Sequence, residues 1–251
     1  MNEEKFDGKG KIYARFRPTY PQEFIEYLFV KAQINEQSVI ADIGSGTGIL
    51  TGQLLDKGNP VFAVEPNSDM RRIAEDDLRK YKLFTPVAAT AEHTTLPDRS
   101  VDLITVAQAF HWFDRAAFRK ECLRILKPGA YVALVWNSRD ENSALVAEND
   151  RINRKYCPAF KGFSGGTRGP ITNDDFRDFF TGEYEKKWFA NDLIFDLSGF
   201  IGRNLSASYA LKEGDEQYSA YVTELELLFE KHAVNGSVTM PNFTRCYIGR
   251  V

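Results

Sequence analysis

The chain has 251 residues, 43 % of them hydrophobic and 27 % charged, which suits one α/β domain, alone or carrying a modest insertion, and excludes wholesale disorder. Its 32 basic and 35 acidic residues leave a formal net charge of −3, and basic residues come at most in pairs such as Arg71-Arg72 and Lys186-Lys187, against a dedicated nucleic-acid binder. No apolar run approaches the roughly 20 residues needed to cross a bilayer, and Met1 to Lys11 lacks the apolar centre of a signal peptide. In chain order, a basic aromatic segment from Tyr13 to Pro21 precedes a helix predicted from Gln22 to Ala32. Pro18 and Pro21 disfavour helix before that point. Strands are predicted at Ser38 to Ile43, Val61 to Glu65, Phe84 to Ala89, Val101 to Ala107 and Tyr131 to Trp136. Between them fall helices over Gly48 to Lys57, Ser68 to Tyr81 (Ser68 as N-cap) and Arg115 to Leu126, the last stopped by Lys127-Pro128-Gly129.

Such alternation implies a mostly parallel sheet covered on both faces. Residues 139–182 change character: they are polar, with Gly162, Gly165, Gly166 and Gly169 close together. They are expected to form an inserted cap or lid on residues 1–138, with 183–251 completing the same sheet through a helix near Glu213 to His232 and a closing strand from Ser237 to Val251. Cys122, Cys157 and Cys246 are odd in number and widely spaced, which fits neither a disulfide framework nor a metal site. A reducing cytoplasm is the expected setting.

The informative stretch is Val39 to Gly48, where an apolar strand runs into Gly44-Ser45-Gly46-Thr47-Gly48 and a helix opens from it. Glycines there allow torsions closed to other residues and let a ligand approach the main chain, and the helix start adds unpaired N–H groups. The spacing is not that of a dinucleotide turn, G-x-G-x-x-G, whose third glycine would fall on Ile49. Asp42 instead precedes the first glycine by two residues. Glu65 ends the second strand about 20 residues after the turn, the distance expected of a ribose-binding acid, which accepts from both hydroxyls.

With acid-x-G-x-G-x-G at Asp42, Gly44, Gly46 and Gly48, the chain resembles the class I S-adenosylmethionine-dependent methyltransferases. The resemblance implies a Rossmann-like seven-stranded, mostly parallel sheet with helices on both faces. It implies S-adenosylmethionine as cofactor, bound near Asp42, Gly44, Ser45, Gly46, Gly48, Glu65, Pro66 and Met70, with Asp42 orienting the cofactor's amino group and Met70 near the adenine. Ala91-Glu92 resembles the family's adenine loop. Many members carry an aspartate where this chain has Thr90, which shifts that contact towards Glu92 or the main chain. Ala107-Gln108-Ala109-Phe110-His111-Trp112 lacks the Asn/Asp-Pro-Pro-aromatic tetrad of nucleic-acid amino-methylating relatives. It resembles a small-molecule methyltransferase group that also shows Tyr-x-x-x-Arg-Pro-x-Tyr-Pro, matched by Tyr13, Arg17, Pro18, Tyr20 and Pro21. Tyr13 and Arg17 thereby join the cofactor-binding candidates.

His111 is the candidate general base, because histidine titrates near neutrality; His93 and His232 have weaker claims. The expected activity is methyl transfer to a small-molecule acceptor, with no metal, nucleic-acid or membrane partner. Two alternatives stay open: a non-catalytic S-adenosylmethionine-binding regulator, and a nicotinamide-dependent oxidoreductase. Neither the acceptor nor the oligomeric state is legible.

Overall fold

The buried strands follow from uninterrupted apolar runs that only a two-faced sheet can bury. In the computed structural model, which describes residues 18–162, 172–207 and 209–251, the parallel strands are β1 (Ile40–Ile43), β2 (Val61–Val64), β3 (Phe84–Val87), β4 (Val101–Ala107) and β5 (Leu126–Arg139). Two further strands, β6 (Glu185–Ala190) and β9 (Asn242–Gly249), complete a seven-stranded sheet of order β3-β2-β1-β4-β5-β9-β6, with β9 antiparallel to both neighbours. β3 carries Pro86, tolerated because it lies on an edge.

Side chains alternate across the sheet. Ile43, Ile104, Val106 and Leu134 face a core completed by α4 (Arg115–Ile125) and α6 (Asn173–Phe179), through Phe118, Cys122, Phe176 and Phe179. Ile40, Leu103, Ala133 and Val135 face α1 (Gln22–Lys31), α2 (Ile49–Leu55) and α3 (Ser68–Leu78). The N-cap of α3 is Asn67, whose side chain accepts from Met70 N–H; Ser68, expected there, is the first helical residue. The Lys127-Pro128-Gly129 breaker ends α4 as expected, yet the strand is already entered at Leu126. The intervening residues are taken up by a register shift between Val101↔Leu126 and Leu103↔Tyr131.

The cap differs from its expected boundaries. A third core unites α5 (Ala144–Tyr156), α7 (Leu197–Leu205), α8 (Tyr218–His232) and a two-stranded sheet of β7 (Leu193–Phe195) with β8 (Val238–Met240). Residues 193–240 therefore build the cap rather than completing the main sheet, while α6, within the expected cap, packs in the main core. The expected closing strand is divided at Pro241, with β8 in the cap and β9 in the main sheet. All three cysteines are buried free thiols. No helix among the described residues is long and apolar enough to cross a membrane.

Candidate active site

The C-terminal ends of β1, β2, β4 and β5 lie side by side, in the registers Ile43↔Val64 and Ala107↔Val135. Open α/β sheets bind ligands along this edge. Asp42 is the charged residue of β1 and is 1 % exposed. A carboxylate so buried must be hydrogen-bonded: Thr51 Oγ1 on α2 donates to it at 2.7 Å and Thr105 Oγ1 on β4 at 2.8 Å. Burial pushes its pKa up to about 6, against the opposing pull of the threonine bonds. The resemblance placed Asp42 at the cofactor's amino group. In the structure the carboxylate ties the strand before the turn to the helix after it and to β4. Thr51 and Thr105 are functional neighbours that the sequence reading missed; the hydroxyl of Thr105 inside the apolar run of β4 was the available signal.

The glycine turn is built from left-handed residues, with φ +69° at Gly44, +57° at Gly46 and +81° at Gly48. A Cβ on Gly44 would meet Ala109 Cβ at 2.6 Å, and one on Gly48 would meet Leu78 Cδ1 at 2.7 Å. Torsion requires glycine at both positions, and at Gly44 packing requires it as well, since Ala109 Cβ cannot move aside as the end of the Leu78 side chain can. Gly46 differs: a Cβ there would have Met70 Sδ at 3.6 Å as its nearest neighbour, so the turn leaves room at its middle glycine. Ser45 Oγ and Thr47 Oγ1 are buried and have no hydrogen-bond partner among the described residues. Buried polar atoms left unpaired are costly, and at a ligand site a ligand is what completes them.

Glu65 follows β2 directly and is 9 % exposed. Its Oε2 accepts from Gly46 N–H at 2.9 Å and its Oε1 from Asn67 N–H at 2.8 Å. The candidate ribose acid thus touches the glycine turn itself. Pro66 and Met70 lie beside it; the Pro66 carbonyl accepts from Arg71 and Met70 is buried. Across the edge, Ala91 is buried, and Glu92 Oε1 accepts from Asp114 N–H at 2.8 Å. Asp102 holds the start of β4, accepting from Val39 N–H and Lys127 Nζ, a structural role.

Beyond Ala107 the chain leaves β4 through Gln108, a non-glycine residue at φ +60°. That conformation costs about 1–2 kcal/mol. It is held by Gln108 N–H donating to the Val135 carbonyl at 2.9 Å and by Nε2 donating to the Asn137 carbonyl at 3.2 Å. A short 3₁₀ turn, Phe110–Trp112, follows. Phe110 is fully buried against Phe113, Phe118, Trp136 and Phe179, so it is a core residue. His111 is half-buried, its ring 4.8 Å from that of Trp112. Burial pushes its pKa down to about 4, so the imidazole is neutral at pH 7. His93 lies in an isolated bridge with Thr90, and His232 pairs with Glu148 on the cap. Tyr13 and Arg17 lie outside the described residues.

A parallel sheet with a glycine turn after β1, an acid after β2 and a polar exit from β4 defines the class I methyltransferase fold. Residues 41–134 match the methyltransferase domain family. An uncharacterized methyltransferase of Mycobacterium tuberculosis is 40% identical over 140 residues, 56% of this chain and 55% of that protein. One from Schizosaccharomyces pombe is 32% identical over 144 residues, 57% of this chain and 56% of that protein. The aligned part of the chain thus spans about half the length of these relatives. The solved structure of a candidate type II methyltransferase from Anaeromyxobacter dehalogenans is 22% identical, with a TM-score of 0.69 over 94% of this chain and 98% of that one. At that identity the likeness speaks to the fold, which extends through the cap.

Proposed function

We propose that this chain transfers a methyl group from S-adenosylmethionine to a small-molecule acceptor at the C-terminal edge of its sheet. One observation carries the reading: the bond from Gly46 N–H to Glu65 Oε2 joins the glycine turn and the ribose-type acid into a single cradle. The residues fit the nucleoside. The unpaired hydroxyls of Ser45 and Thr47 offer donors and acceptors, the room at Gly46 admits a ligand against the main chain, and the apolar side chain of Met70 borders it. Glu65, which accepts from Gly46 and Asn67 N–H, is the acid of this cradle, and a carboxylate accepts hydroxyl hydrogen bonds well. Gly44, Gly48 and Asp42 hold the turn in shape. Ala91, Glu92, Ala107 and Gln108 frame the remaining edge.

Bound there, the cofactor supplies an electrophilic methyl group on a sulfonium. The protein's part is to orient an acceptor in line with it and to exclude water, and positioning supplies a large share of such acceleration. His111, on the turn leaving β4, is the residue to take up a proton. An imidazole whose pKa lies at about 4 is ready in its neutral form but is a weak base. Ile49 in place of a third glycine tells against nicotinamide chemistry.

Calorimetry with S-adenosylhomocysteine tests the binding half. Mass spectrometry of an acceptor panel weighted towards small carboxylic acids and phenols tests the transfer. Saturable binding and a product heavier by one methyl group are expected. Binding with no methylated product from any acceptor would instead favour a regulatory protein. No binding at millimolar ligand would end the proposal.

A further inference from the structure

Arg245 stands in the middle of β9, opposite Trp136 on β5 and Trp188 on β6. Side chains alternate along a strand, so Phe243, Arg245 and Tyr247 share a face with both tryptophans and with Lys186. The row Trp136–Arg245–Trp188 lies one residue past the last β4–β5 pair, Ala107↔Val135, at the ligand-binding end of the sheet. Phe110, on the turn that leaves β4, meets this row through Trp136, at 6.3 Å between ring centres. At the far end of the row Trp188 is 51 % exposed, with the Phe243 ring 5.9 Å away. Two cations lie against the Trp188 ring, the Arg245 guanidinium at 5.9 Å and Lys186 Nζ at 5.3 Å. Among the described residues neither pairs with a carboxylate. Glu185 points to the other face and bonds Lys31 at 2.5 Å, and Asp192 takes Asn242 N–H at 3.2 Å. Arg245 Nε is buried and has no acceptor among the described residues. An indole face attracts its charge but offers no lone pair to its N–H.

We propose that Arg245 binds the carboxylate of a flat, apolar-bodied acceptor acid, with Lys186 adding charge and Trp136, Trp188 and Phe243 receiving the body. This rests on the methyltransferase reading above and names its substrate class. An unpaired buried donor is costly, and an acceptor oxygen is what completes it. The guanidinium fork matches a carboxylate in shape and takes it through two parallel bonds, one of them from Nε. A lysine in its place would supply a point charge without that geometry. The guanidinium lies over Trp188 on β6, the side away from β4. Neighbouring strands are spaced ~4.8 Å apart, which puts the β9 main chain ~10 Å from β4. The carboxylate is therefore an anchoring group, held apart from the turn that carries His111.

The test titrates benzoate, and its neutral counterpart benzamide, into the full chain with and without S-adenosylhomocysteine, by calorimetry. It compares the wild type with Arg245→Gln, Arg245→Lys and Lys186→Gln. Wild type is expected to bind benzoate about tenfold or more tightly than benzamide, and Arg245→Gln to lose about that factor for benzoate while benzamide changes little. Arg245→Lys keeps the charge and loses the fork; it is expected to fall between, and it reads the site if Arg245→Gln does not fold. Lys186→Gln, on the surface, should weaken benzoate by about threefold. Three results overturn the proposal: no benzoate binding by wild type at about 10 mM, equal affinity for benzoate and benzamide, or an Arg245→Gln variant within about twofold of wild type for benzoate. Benzoate binding that depends on Arg245, in a protein that ignores S-adenosylhomocysteine, sinks the methyltransferase reading and leaves the acid site standing. Nucleoside binding with no preference for benzoate sinks the acid site alone.

Discussion

The sheet edge and the cap both bury polar side chains, but they use them in opposite ways. In the cap, Asn149, Asn153, Asn204 and Tyr221 form a closed ladder. Asn149 Nδ2 donates to Asn204 Oδ1, Asn153 Nδ2 to Asn149 Oδ1 and Tyr221 O–H to Asn153 Oδ1, each within 2.7–2.9 Å. At the sheet edge, Ser45 Oγ and Thr47 Oγ1 are unpaired among the described residues, three glycines are wound left-handed, and Gln108 holds a strained torsion. Closed networks fix a shape, whereas open donors and stored strain mark where a ligand is received. The proposed chemistry lies at the sheet edge, and the cap's closed ladder fixes the shape of the cap.

That contrast is broken most severely by Gly44→Ala. Its Cβ would need a left-handed backbone and lie 2.6 Å from Ala109 Cβ. A loss of about 3 kcal/mol or more is expected from torsion and overpacking together, along with loss of nucleoside binding; urea unfolding and calorimetry check both. Gly46→Ala, with space around it, should lose less stability and still bind poorly. Equal damage to stability from both variants would show that the middle of the turn is packed rather than open.

The pH dependence of stability sharpens the contrast next. Folded Asp42 holds its proton more tightly than its ordinary value of 3.8 allows, so its contribution to stability declines as pH rises from there through about 6. Folded His111 holds its proton less tightly than the ordinary 6.5, so its contribution declines as pH falls from there through about 4. Each slope amounts to about 3 kcal/mol across its window, and between about pH 4 and 6 they oppose each other. Asp42→Asn should expose the histidine slope, with stability rising with pH. His111→Gln should expose the aspartate slope, with stability falling. Denaturant midpoints from pH 4 to 7 measure both, and parallel curves in the two variants would contradict the assignments.

The smallest effect is expected in the cap. Tyr221→Phe deprives Asn153 Oδ1 of its donor and should cost about 1–2 kcal/mol of stability, leaving nucleoside affinity unchanged. A fall in affinity matching the fall in stability would show that the cap's ladder is coupled to the site.

How much of this was legible in the sequence follows from how local each signal is. The glycine turn, the acid ending β2 and the apolar strands occupy consecutive residues, and their spacing is readable as it stands. The commitment of Asp42 to Thr51 and Thr105 was not readable, because one partner lies on a helix and the other on a strand 63 residues away. Nor was the composition of the cap: the Asn149–Asn204 bond joins residues 55 apart in the chain, and α5 and α8 each carry an ordinary amphipathic pattern that does not name its partner. The N-cap of α3 moved by one residue, from Ser68 to Asn67, since both types cap well and only the geometry chooses.

The central claim is that Glu65, tied to the glycine turn through Gly46, receives the ribose of a sulfonium nucleoside. A double cycle tests it most directly, measuring the affinities of wild type and Glu65→Ala for S-adenosylhomocysteine and for its analogue lacking the ribose hydroxyls. Wild type is expected to lose about tenfold or more when the hydroxyls are removed, while Glu65→Ala, already weakened, is expected to lose little further. A wild type indifferent to the hydroxyls, or a variant as sensitive to them as the wild type, would contradict the account.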